Sequence, residues 1–476
     1  MSRVYSAILA CCLCACATVS GVPAAQDAPI TIDQAVEIAF ANSPDIRIAA
    51  DQVRKAGGAV REAKAAFRPT LNAAGTHARQ GPKASVTLPE FGTVEIVPGS
   101  QTSFSASVQA PLDVFGRLPR VEEVTGGALR IEHLNFSNTA EQLILDVKAA
   151  FFNLLRAQGQ EEVARAAVEA AAERLANTEA RYRAGTVAKF DVTRAEVEVA
   201  NLTQRLIETG AAVETARAAL NRQMGIDTAA PTEVVAPQIA LGPPEAPKPE
   251  LVAQALERRP IVEIARAGVQ VGESTVRLER MGRKPFLSAG GAYNFDAKTS
   301  GFSGSNESWR AMLELRIPVW DGGVTSARVE QAAAQTAAAR DALRQVELGV
   351  ALEVRTAALD LEQASRRAAT TAKNVELAEE ALRLANVRYE AGIATLVEVT
   401  DAESSLTQAR VNLVNARYDH ATALARLQRA TSTQPEMARV LELPGAPALS
   451  NVGHNPGAGS GYTDNEPAPM GRGTED

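Results

Sequence analysis

Two carboxylates, Glu398 and Asp401, are the residues of this 476-residue chain whose types and spacing best suit a role in binding. They follow a glycine turn and stand three positions apart, so on a helix they share one face. Such a pair, repeated around a symmetry axis, would attract cations and bind multivalent ones. A solvated acidic helix face gives the same pattern. Which of the two applies depends on the elements that position these residues.

Residues for catalysis or cofactor binding form no recognisable pattern in the sequence. The four histidines, His77, His133, His420 and His454, are scattered, and their spacing matches no metal site. There is no nucleophile elbow and no glycine loop with the lysine that phosphate binding needs. A net charge of −7 gives no basic surface for nucleic acid. We therefore expect a protein that is not an enzyme and that uses no metal and no cofactor.

The chain contains the same unit twice. Its first copy has Arg-Tyr-Arg-Ala-Gly at 181–185, and its second copy has Arg-Tyr-Glu-Ala-Gly at 388–392, 207 residues later. The same offset relates Pro111 to Pro318, and further upstream the offset is 216. A near-constant offset over this length indicates an internal duplication. Whatever the protein does is therefore done by two similar halves.

Each half contains a pair of predicted β-strands. Apolar and polar residues alternate from Thr102 to Leu112 and again from Trp309 to Ile317, and a period of two indicates a strand with one apolar and one polar face. Partner strands begin at Leu71 and Leu287, and a turn-rich tip is predicted at about residues 81–100. The polar-face residues that we expect in a water-filled lumen are Ser103, Ser105, Ser107, Gln109, Arg310, Glu314 and Arg316. The same residues also fit the wet face of an ordinary sheet.

Long helices follow each pair of strands. No proline occurs from Arg120 to Ala230 or from Val319 to Gln434 in a chain that has 24 prolines, and proline costs about 3 kcal/mol inside a helix. Both stretches are rich in alanine, leucine, glutamate and arginine, and each is broken once, after Gly185 and Gly392. We therefore predict two helical hairpins, whose first helices of roughly 65 residues reach about 100 Å.

Composition also sets the expected domain boundaries. The first residues have a basic start, an apolar run and all four cysteines, which is typical of a signal peptide, although Cys16 also fits a lipid-attachment site. The predicted segments are a signal peptide at 1–25; a first repeat at 26–230, with a β-hairpin at about 70–112 and helices at about 120–225; a Pro-rich linker at 231–249; a second repeat at 250–434, with a β-hairpin at about 286–318 and helices at about 324–432; and a flexible tail at 435–476.

The number of strands indicates an oligomer. Four strands per chain cannot close a membrane barrel, which needs about eight, and open strand edges are not tolerated in lipid. Three copies would supply twelve strands, enough for a barrel with a lumen. The sequence thus predicts a mainly α-helical protein with a small transmembrane β part, assembled as a homotrimer with a 12-stranded barrel and a periplasmic α-helical tunnel.

The duplicated order of motifs resembles the outer-membrane efflux protein family, the TolC-type channel-tunnels. The resemblance covers about residues 30–432. It rests on Ala39 to Pro44 and Ala255 to Pro260, on Pro-Leu-Asp-Val-Phe-Gly-Arg at 111–117 and Pro-Val-Trp-Asp-Gly-Gly at 318–323, and on the two Tyr-x-Ala-Gly turns. It implies a homotrimeric exit duct of a tripartite efflux pump or type I secretion system, in the outer membrane of a Gram-negative bacterium. The implied partners are a periplasmic adaptor (membrane fusion protein), an inner-membrane RND or ABC transporter and outer-membrane lipid.

The resemblance also gives expected roles to residues at the helical turns. Those expected at the entrance gate are Glu398, Asp401, Asp191 and Tyr389. Those expected at the tips that dock the adaptor are Gly185, Thr186, Val187, Gly392, Ile393 and Ala394. The family has a basic residue of a salt-bridge latch where this chain has Ala394, so the latch is expected to differ here. Tyr389 also fits helix packing, and the turns also fit simple helix ends.

Two other classes of protein share some of these features. A periplasmic adaptor also has a long helical hairpin, but it would normally have one, flanked by β-rich halves, whereas this chain has two. A structural coiled-coil surface protein would leave the alternating strands and the glycine turns without a purpose.

Overall fold

The structure is a computed structural model that describes residues 29–82, 84–89, 92–97, 100–239, 241–243, 248–297 and 305–440. The predicted signal peptide, with Cys16, lies outside the described residues. Within the described ranges, none of the helices combines the length and the apolar character needed to cross a membrane.

The two repeats have the same order of main elements. The first contains helices α1 (Ile32–Asn42) and α2 (Pro44–Ala65), strands β1 (Thr70–Arg79), β2 (Ala84–Leu88), β3 (Gly92–Val97) and β4 (Ser100–Leu112), and helices α3 (Arg117–Arg183) and α4 (Lys189–Met224). The second contains helices α5 (Lys248–Arg258) and α6 (Pro260–Arg280), strands β5 (Phe286–Asp296) and β6 (Glu307–Arg316), and helices α7 (Val324–Glu390) and α8 (Leu396–Ala430). A short helix, α9 (Met437–Val440), follows.

The short helices begin at residues whose side chains favour a helix start. The hydroxyl of Thr31 accepts a hydrogen bond from the amide of Gln34, and the Gln34 side chain accepts one from the amide of Thr31. This reciprocal cap satisfies two amides that have no partner within the helix. Pro44 and Pro260 lie in the first turns of α2 and α6, where the fixed backbone angle of proline suits a helix.

Four strands form one antiparallel sheet in the order β1-β4-β5-β6. Val108 lies opposite Leu71 on one side and Gly291 on the other, and Leu287 lies opposite Leu315. Because side chains alternate between the faces of a strand, this register collects the apolar residues of all four strands on one face and the polar residues on the other. The predicted alternating strands are therefore present, and they belong to a single sheet.

A second hairpin lies in the first repeat beyond the four-stranded sheet. β2 pairs with β3, and Val86 lies opposite Val94. The prediction of a turn-rich tip over 81–100 is therefore wrong for the residues in these strands. Valine, threonine and isoleucine recur within 84–97, and such residues favour strands even between glycine and proline. The longer first repeat carries this addition.

The long helices form an antiparallel layer in the order α4-α3-α8-α7. α3 pairs with α4, α7 pairs with α8, and the two hairpins meet along the contact of α3 with α8, which we call the seam. The seam requires a glycine, because a Cβ at Gly159 would lie 2.9 Å from Cγ1 of Val414. α6 packs against both α3 and α7 and so bridges the two repeats.

Two hydrophobic clusters lie where short helices cover this layer. The larger one joins α1, α2, α3, α4 and α8 around the fully buried Phe136, Phe151 and Leu154. Phe40 packs edge-on against Phe136, with 6.1 Å between ring centres. The smaller cluster joins the four helices α5, α6, α7 and α8 around Leu361. The clusters fix the helical layer in its middle and leave the distant helical turns to be held by local contacts.

The residues that follow α8 fold back onto α3. Nζ of Lys148 lies 2.7 Å from the carboxylate of Glu436, and both side chains are buried. Val440 joins the larger cluster. The prediction of a flexible tail is therefore wrong for 435–440, because these residues find a charge partner and an apolar surface on the first repeat. The remainder of the predicted tail, 441–476, lies outside the described residues.

Candidate functional site

Each helical hairpin turns at a glycine in the left-handed conformation. Gly185 has a φ of 76° and Gly392 a φ of 75°, a region that residues with a Cβ enter only at a cost. The amide of Thr186 donates a hydrogen bond of 3.0 Å to the carbonyl of Arg181, and the second turn has the corresponding bond. Such a bond closes the last turn of a helix. The predicted docking tips, Gly185, Thr186, Val187, Gly392, Ile393 and Ala394, all lie in or next to these two turns.

Glu398 caps the helix on which it lies. Its Oε1 accepts hydrogen bonds from the amide and the hydroxyl of Thr395 at 3.2 and 3.4 Å, and its Oε2 lies 3.5 Å from Nη1 of Arg388. Unpaired amides in the first turn of a helix stabilise negative charge there. The carboxylate therefore serves both the start of α8 and an ion pair across the turn.

The other two predicted carboxylates differ in their partners. Oδ2 of Asp191 accepts a hydrogen bond of 3.3 Å from the amide of Ala188 and so repeats the cap in the first hairpin. Asp401 lies almost one turn beyond Glu398 and is exposed, and in the described parts of the chain it has no ion-pair partner. The acidic pair predicted from the sequence thus shares a helix face, and Asp401 is its freer member.

Tyr389 connects the two hairpins. The guanidinium carbon of Arg181, at the end of α3, lies 4.9 Å from the centre of the Tyr389 ring, at the end of α7. A cation over an aromatic face at this distance is attracted by the negative charge of that face. Among the described residues Tyr389 makes no hydrogen bond with Asp191, which the structure does not bring to it. Tyr389 therefore holds hairpin to hairpin through an arginine that was not among the predicted gate residues.

A partly buried ion pair lies further along the seam. Arg174 of α3 pairs with Glu403 of α8, and their side chains are 15% and 24% exposed. Burial lowers the pKa of Arg174, but an arginine in a protein stays charged at neutral pH. Sequence reasoning missed this pair and Arg181. A signal for Arg181 was available, because its repeat counterpart Arg388 is also an arginine.

The apolar face of the sheet is uncovered. Trp309 and Leu71 are each 79% exposed and Leu313 is 69% exposed, whereas serines on the opposite face, such as Ser107, are half-buried. Ser107 and Arg310 lie opposite the same residue and so share the polar face. A sheet in water has the reverse arrangement, with its apolar face covered. A large uncovered apolar face indicates contact with a membrane or a partner.

The described histidines take part in local structure. Nε2 of the buried His420 lies 2.8 Å from the carbonyl oxygen of Gly242, and Nδ1 of His77 lies 2.8 Å from the hydroxyl of Thr102. Burial lowers the pKa of His133. Within the described ranges, no three His, Cys, Asp or Glu side chains stand together as a metal site would require.

Comparison with known proteins identifies the family of this duplicated architecture. The family model described as outer membrane efflux protein matches residues 35–226 and 251–433, one match per repeat. The chain belongs to this family. The resemblance noted from the sequence is confirmed, and the chain is an outer-membrane efflux channel that extends into the periplasm. The alternatives of a periplasmic adaptor and a structural surface protein do not hold.

Relatives and solved structures agree with this membership. The chain is 25% identical over 404 residues to the cobalt-zinc-cadmium resistance protein CzcC of Cupriavidus metallidurans. The aligned region covers 84% of this chain and 90% of CzcC. It is 25% identical over 307 residues to the outer membrane protein TolC of Vibrio cholerae, covering 63% of this chain and 70% of TolC. The CmeC outer membrane channel of Campylobacter jejuni has the same fold, with a TM-score of 0.71 at 16% identity, covering 86% and 88% of the two chains.

Proposed function

We propose that three copies of this chain form a passive exit duct of a tripartite efflux pump or type I secretion system. The observation that carries the proposal is the pair of open sheet edges: among the described residues, β1 and β6 each pair with a strand on one side only. Open edges are not tolerated in lipid, because their amides and carbonyls find no partner there. A closed ring of three sheets, with twelve strands, removes every edge.

The internal duplication supports closure between copies. β1 and β4 pair with Leu71 opposite Val108, and the repeat counterparts of these residues, Leu287 and Leu315, also lie opposite each other. The pairing of β4 with β5 joins one repeat to the next within the chain. If the last strand of the second repeat pairs in the same way with the first strand of the following repeat, β6 lies against β1 of the next copy. In that register Glu314 lies opposite Thr76, and the polar faces of the three sheets become continuous.

The dimensions of the uncovered apolar face suit a bilayer. From Trp309 to Ile317 the second hairpin strand rises about 27 Å at 3.4 Å per residue, close to the apolar band of about 25 Å on membrane barrels. Trp309 is exposed at one end of this band, and Trp320, 88% exposed, lies beyond the other. Aromatic residues at both boundaries are typical of membrane barrels.

The rest of the duct follows from this arrangement. The polar residues Ser103, Ser105, Ser107, Gln109, Arg310, Glu314 and Arg316 line the barrel lumen. The long helices, of which α3 and α7 are each about 100 Å long, form a periplasmic tunnel. The entrance lies at the helical turns, where Asp401, with Glu398, Asp191 and Tyr389, gates it. A periplasmic adaptor docks on the turns, and an inner-membrane RND or ABC transporter drives export. The duct itself performs no chemistry on its cargo.

The native mass of the detergent-extracted protein, with the detergent subtracted, tests this proposal. Three chains are expected, together with ion conductance in planar bilayers. A monomer whose mass does not depend on detergent would contradict both the barrel and the channel.

A matched pair of substitutions tests the assignment of the sheet faces. Leu313→Arg puts a charge on the lipid face near the middle of the band, where it costs about 2–4 kcal/mol, so trimer yield should fall. Glu314→Arg, on the other face, should leave the yield unchanged and alter ion selectivity. Equal losses of trimer from both variants would mean that the sheet does not separate lipid from water.

A further inference from the structure

The repeat relationship gives a counterpart to the Arg181–Tyr389 contact. Arg181 and Arg388 are 207 residues apart, and so are Tyr182 and Tyr389. The observed contact joins the arginine of the first repeat to the tyrosine of the second. The complementary pair, Arg388 with Tyr182, has both residues in place, but among the described residues Tyr182 lies beside Lys189 and Arg388 beside Glu398, and the two do not contact each other. If the step from the first repeat to the second is taken again from the second repeat to the next copy, Arg388 meets Tyr182 of that copy.

Both residues of the complementary pair have room for a further partner. Tyr182 is 44% exposed, although Nζ of Lys189 lies 5.7 Å from its ring centre. Arg388 is exposed, and its ion pair with Glu398 is 3.5 Å long with side chains 55% and 44% exposed. A guanidinium can stack its flat face on a ring while its edge keeps a carboxylate. The Glu398 contact therefore leaves Arg388 able to stack on a tyrosine.

A second contact between the repeats also has counterparts of the same charge at the repeat-related positions. Arg277 of α6 lies 3.2 Å from Glu123 of α3, which joins the second repeat to the first. Its counterparts are Arg61 on α2 and Glu330 on α7. Both are exposed, and in the described parts of the chain neither has an ion-pair partner. Residues of opposite charge thus recur at both counterpart positions, as expected if a second copy continues the step from repeat to repeat.

We propose that a ring of arginine–tyrosine stacks closes the entrance of the trimer, alternating within and between copies. Arg181 stacks on Tyr389 inside each chain, and Arg388 stacks on Tyr182 of the next copy, which gives six stacks in all. The proposal rests on the proposed trimer. In this ring Arg388 supplies the positive charge between copies that the uncharged Ala394 cannot supply. Arg388 is placed to do so because it lies in the last turn of α7, just before the glycine turn.

Cross-linking with paired cysteines tests the ring directly. The double variant Tyr182→Cys with Arg388→Cys, treated with a short bis-thiosulfonate reagent, should yield covalent trimers on a denaturing gel. The matched control, Arg181→Cys with Tyr389→Cys, should react equally well but remain the size of one chain. The natural cysteines are confined to positions 11 to 16. Loss of trimers in each single variant would show that both cysteines are needed.

A third pair separates failure of the ring from failure of the trimer. Thr76→Cys with Glu314→Cys lies at the proposed barrel contact between copies, where facing residues stand about 5 Å apart. If this pair links copies and the 182/388 pair does not, the ring is wrong and the trimer stands. If neither pair links copies and the native mass is that of one chain, the proposed function fails and the ring fails with it.

Channel recordings test whether the ring holds the entrance shut. Tyr182→Ala removes three stacks per channel, each worth a factor of about two to five at an exposed site, so the open fraction should rise by about tenfold or more. Tyr182→Phe keeps the aromatic face and should behave as the parent. Equal opening in the alanine and phenylalanine variants would show that stacking is not what closes the entrance, and unchanged opening in both would also overturn the proposal.

Discussion

Glu398 and Arg388 face each other across the turn between α7 and α8, with 3.5 Å between Oε2 and Nη1. Their pairing means that the most prominent acidic residue of the turn is partly neutralised by its own hairpin. Asp401, on the same face of α8, has no such partner among the described residues. The two carboxylates should therefore contribute unequally to cation binding at the entrance.

Neutralising Asp401 should weaken block by multivalent cations more than neutralising Glu398. Asp401→Asn removes an unpaired charge three times around the entrance, and Glu398→Gln removes one that already has a counter-charge. The measurement is the concentration of a trivalent cation that halves the conductance of single channels. Block that is unchanged in Asp401→Asn would remove this residue from the entrance.

Placing a charge on the tip should prevent adaptor docking without altering conductance. Ile393 is 69% exposed at the second turn, so Ile393→Asp should not disturb the fold. An adaptor that packs an apolar tip against this turn would then have to bury the new carboxylate, which costs free energy. Capture of purified adaptor should fall while single-channel conductance remains as in the parent. Val397→Asp, on α8 just beyond the turn, is the neighbouring control, and equal loss of capture in both would indicate a contact broader than the tip.

Breaking the buried pair of Lys148 with Glu436 should be strongly destabilising. Glu436→Gln leaves the ammonium group of Lys148 buried without its counter-charge, and loss of one member of such a pair costs about 3–5 kcal/mol. The melting temperature of the extracted protein should fall markedly. Arg366→Ala is the control, because Arg366 pairs with Glu362 at the surface and is 79% exposed, which predicts a change below about 1 kcal/mol.

The stability contributed at Glu141 should depend on pH. Burial raises the pKa of Glu141 above its ordinary value of 4.5, against the opposing effects of the Ser432 hydrogen bond and of Arg429 and Arg259. One oxygen accepts a hydrogen bond of 2.6 Å from Ser432, and the other has no hydrogen-bond partner. The folded chain thus takes up this proton more readily than the unfolded chain, and the ionised side chain lowers stability at a pH above its folded pKa.

Glu141→Gln should therefore raise the melting temperature at pH 8, and the gain should shrink as the pH falls towards 4.5. The amide oxygen can still accept the hydrogen bond from Ser432. Glu376→Gln, at an exposed position on α7, should show no such trend. A gain from Glu141→Gln that is the same at pH 8 and pH 5 would mean that charge is not the cause.

The close approach at the seam should be sensitive to a single side chain. Gly159→Leu forces atoms into the space that Val414 occupies, and overpacking of this kind typically costs about 1–3 kcal/mol. Val414→Ala in the same chain should recover part of the loss. Gly210→Leu, where an added Cβ meets nothing within 4 Å, should be neutral or stabilising, since glycine is a poor helix former.

The fold was largely predictable because the same sequence patterns occur in both repeats. Two proline-free stretches, each broken at one glycine, gave the long hairpins, and strict alternation in β4 and β6 gave the strands and their faces. The β2–β3 hairpin was missed because it occurs in one repeat only, among glycines and prolines that favour turns. The packing of Glu436 and Val440 was missed because their partners lie on α3, far away in the sequence.

The candidate site was less accessible to sequence reasoning. Spacing alone put Glu398 and Asp401 on one helix face, but it could not say that Glu398 caps α8 and meets Arg388. The contact of Arg181 with Tyr389 depends on how two hairpins lie side by side, and no local pattern encodes that. Asking which residues of one repeat contact the other repeat would have drawn attention to Arg181 and Arg388.

The fold-back of the residues that follow α8 onto α3 has a consequence for the order of synthesis. Lys148 is translated long before Glu436, so the first repeat emerges with a cation destined for burial and no counter-charge to meet it. The nascent first repeat is therefore expected to stay loosely packed around Lys148 until Glu436 has been synthesised. Close packing around Lys148 would then wait until translation has passed Glu436.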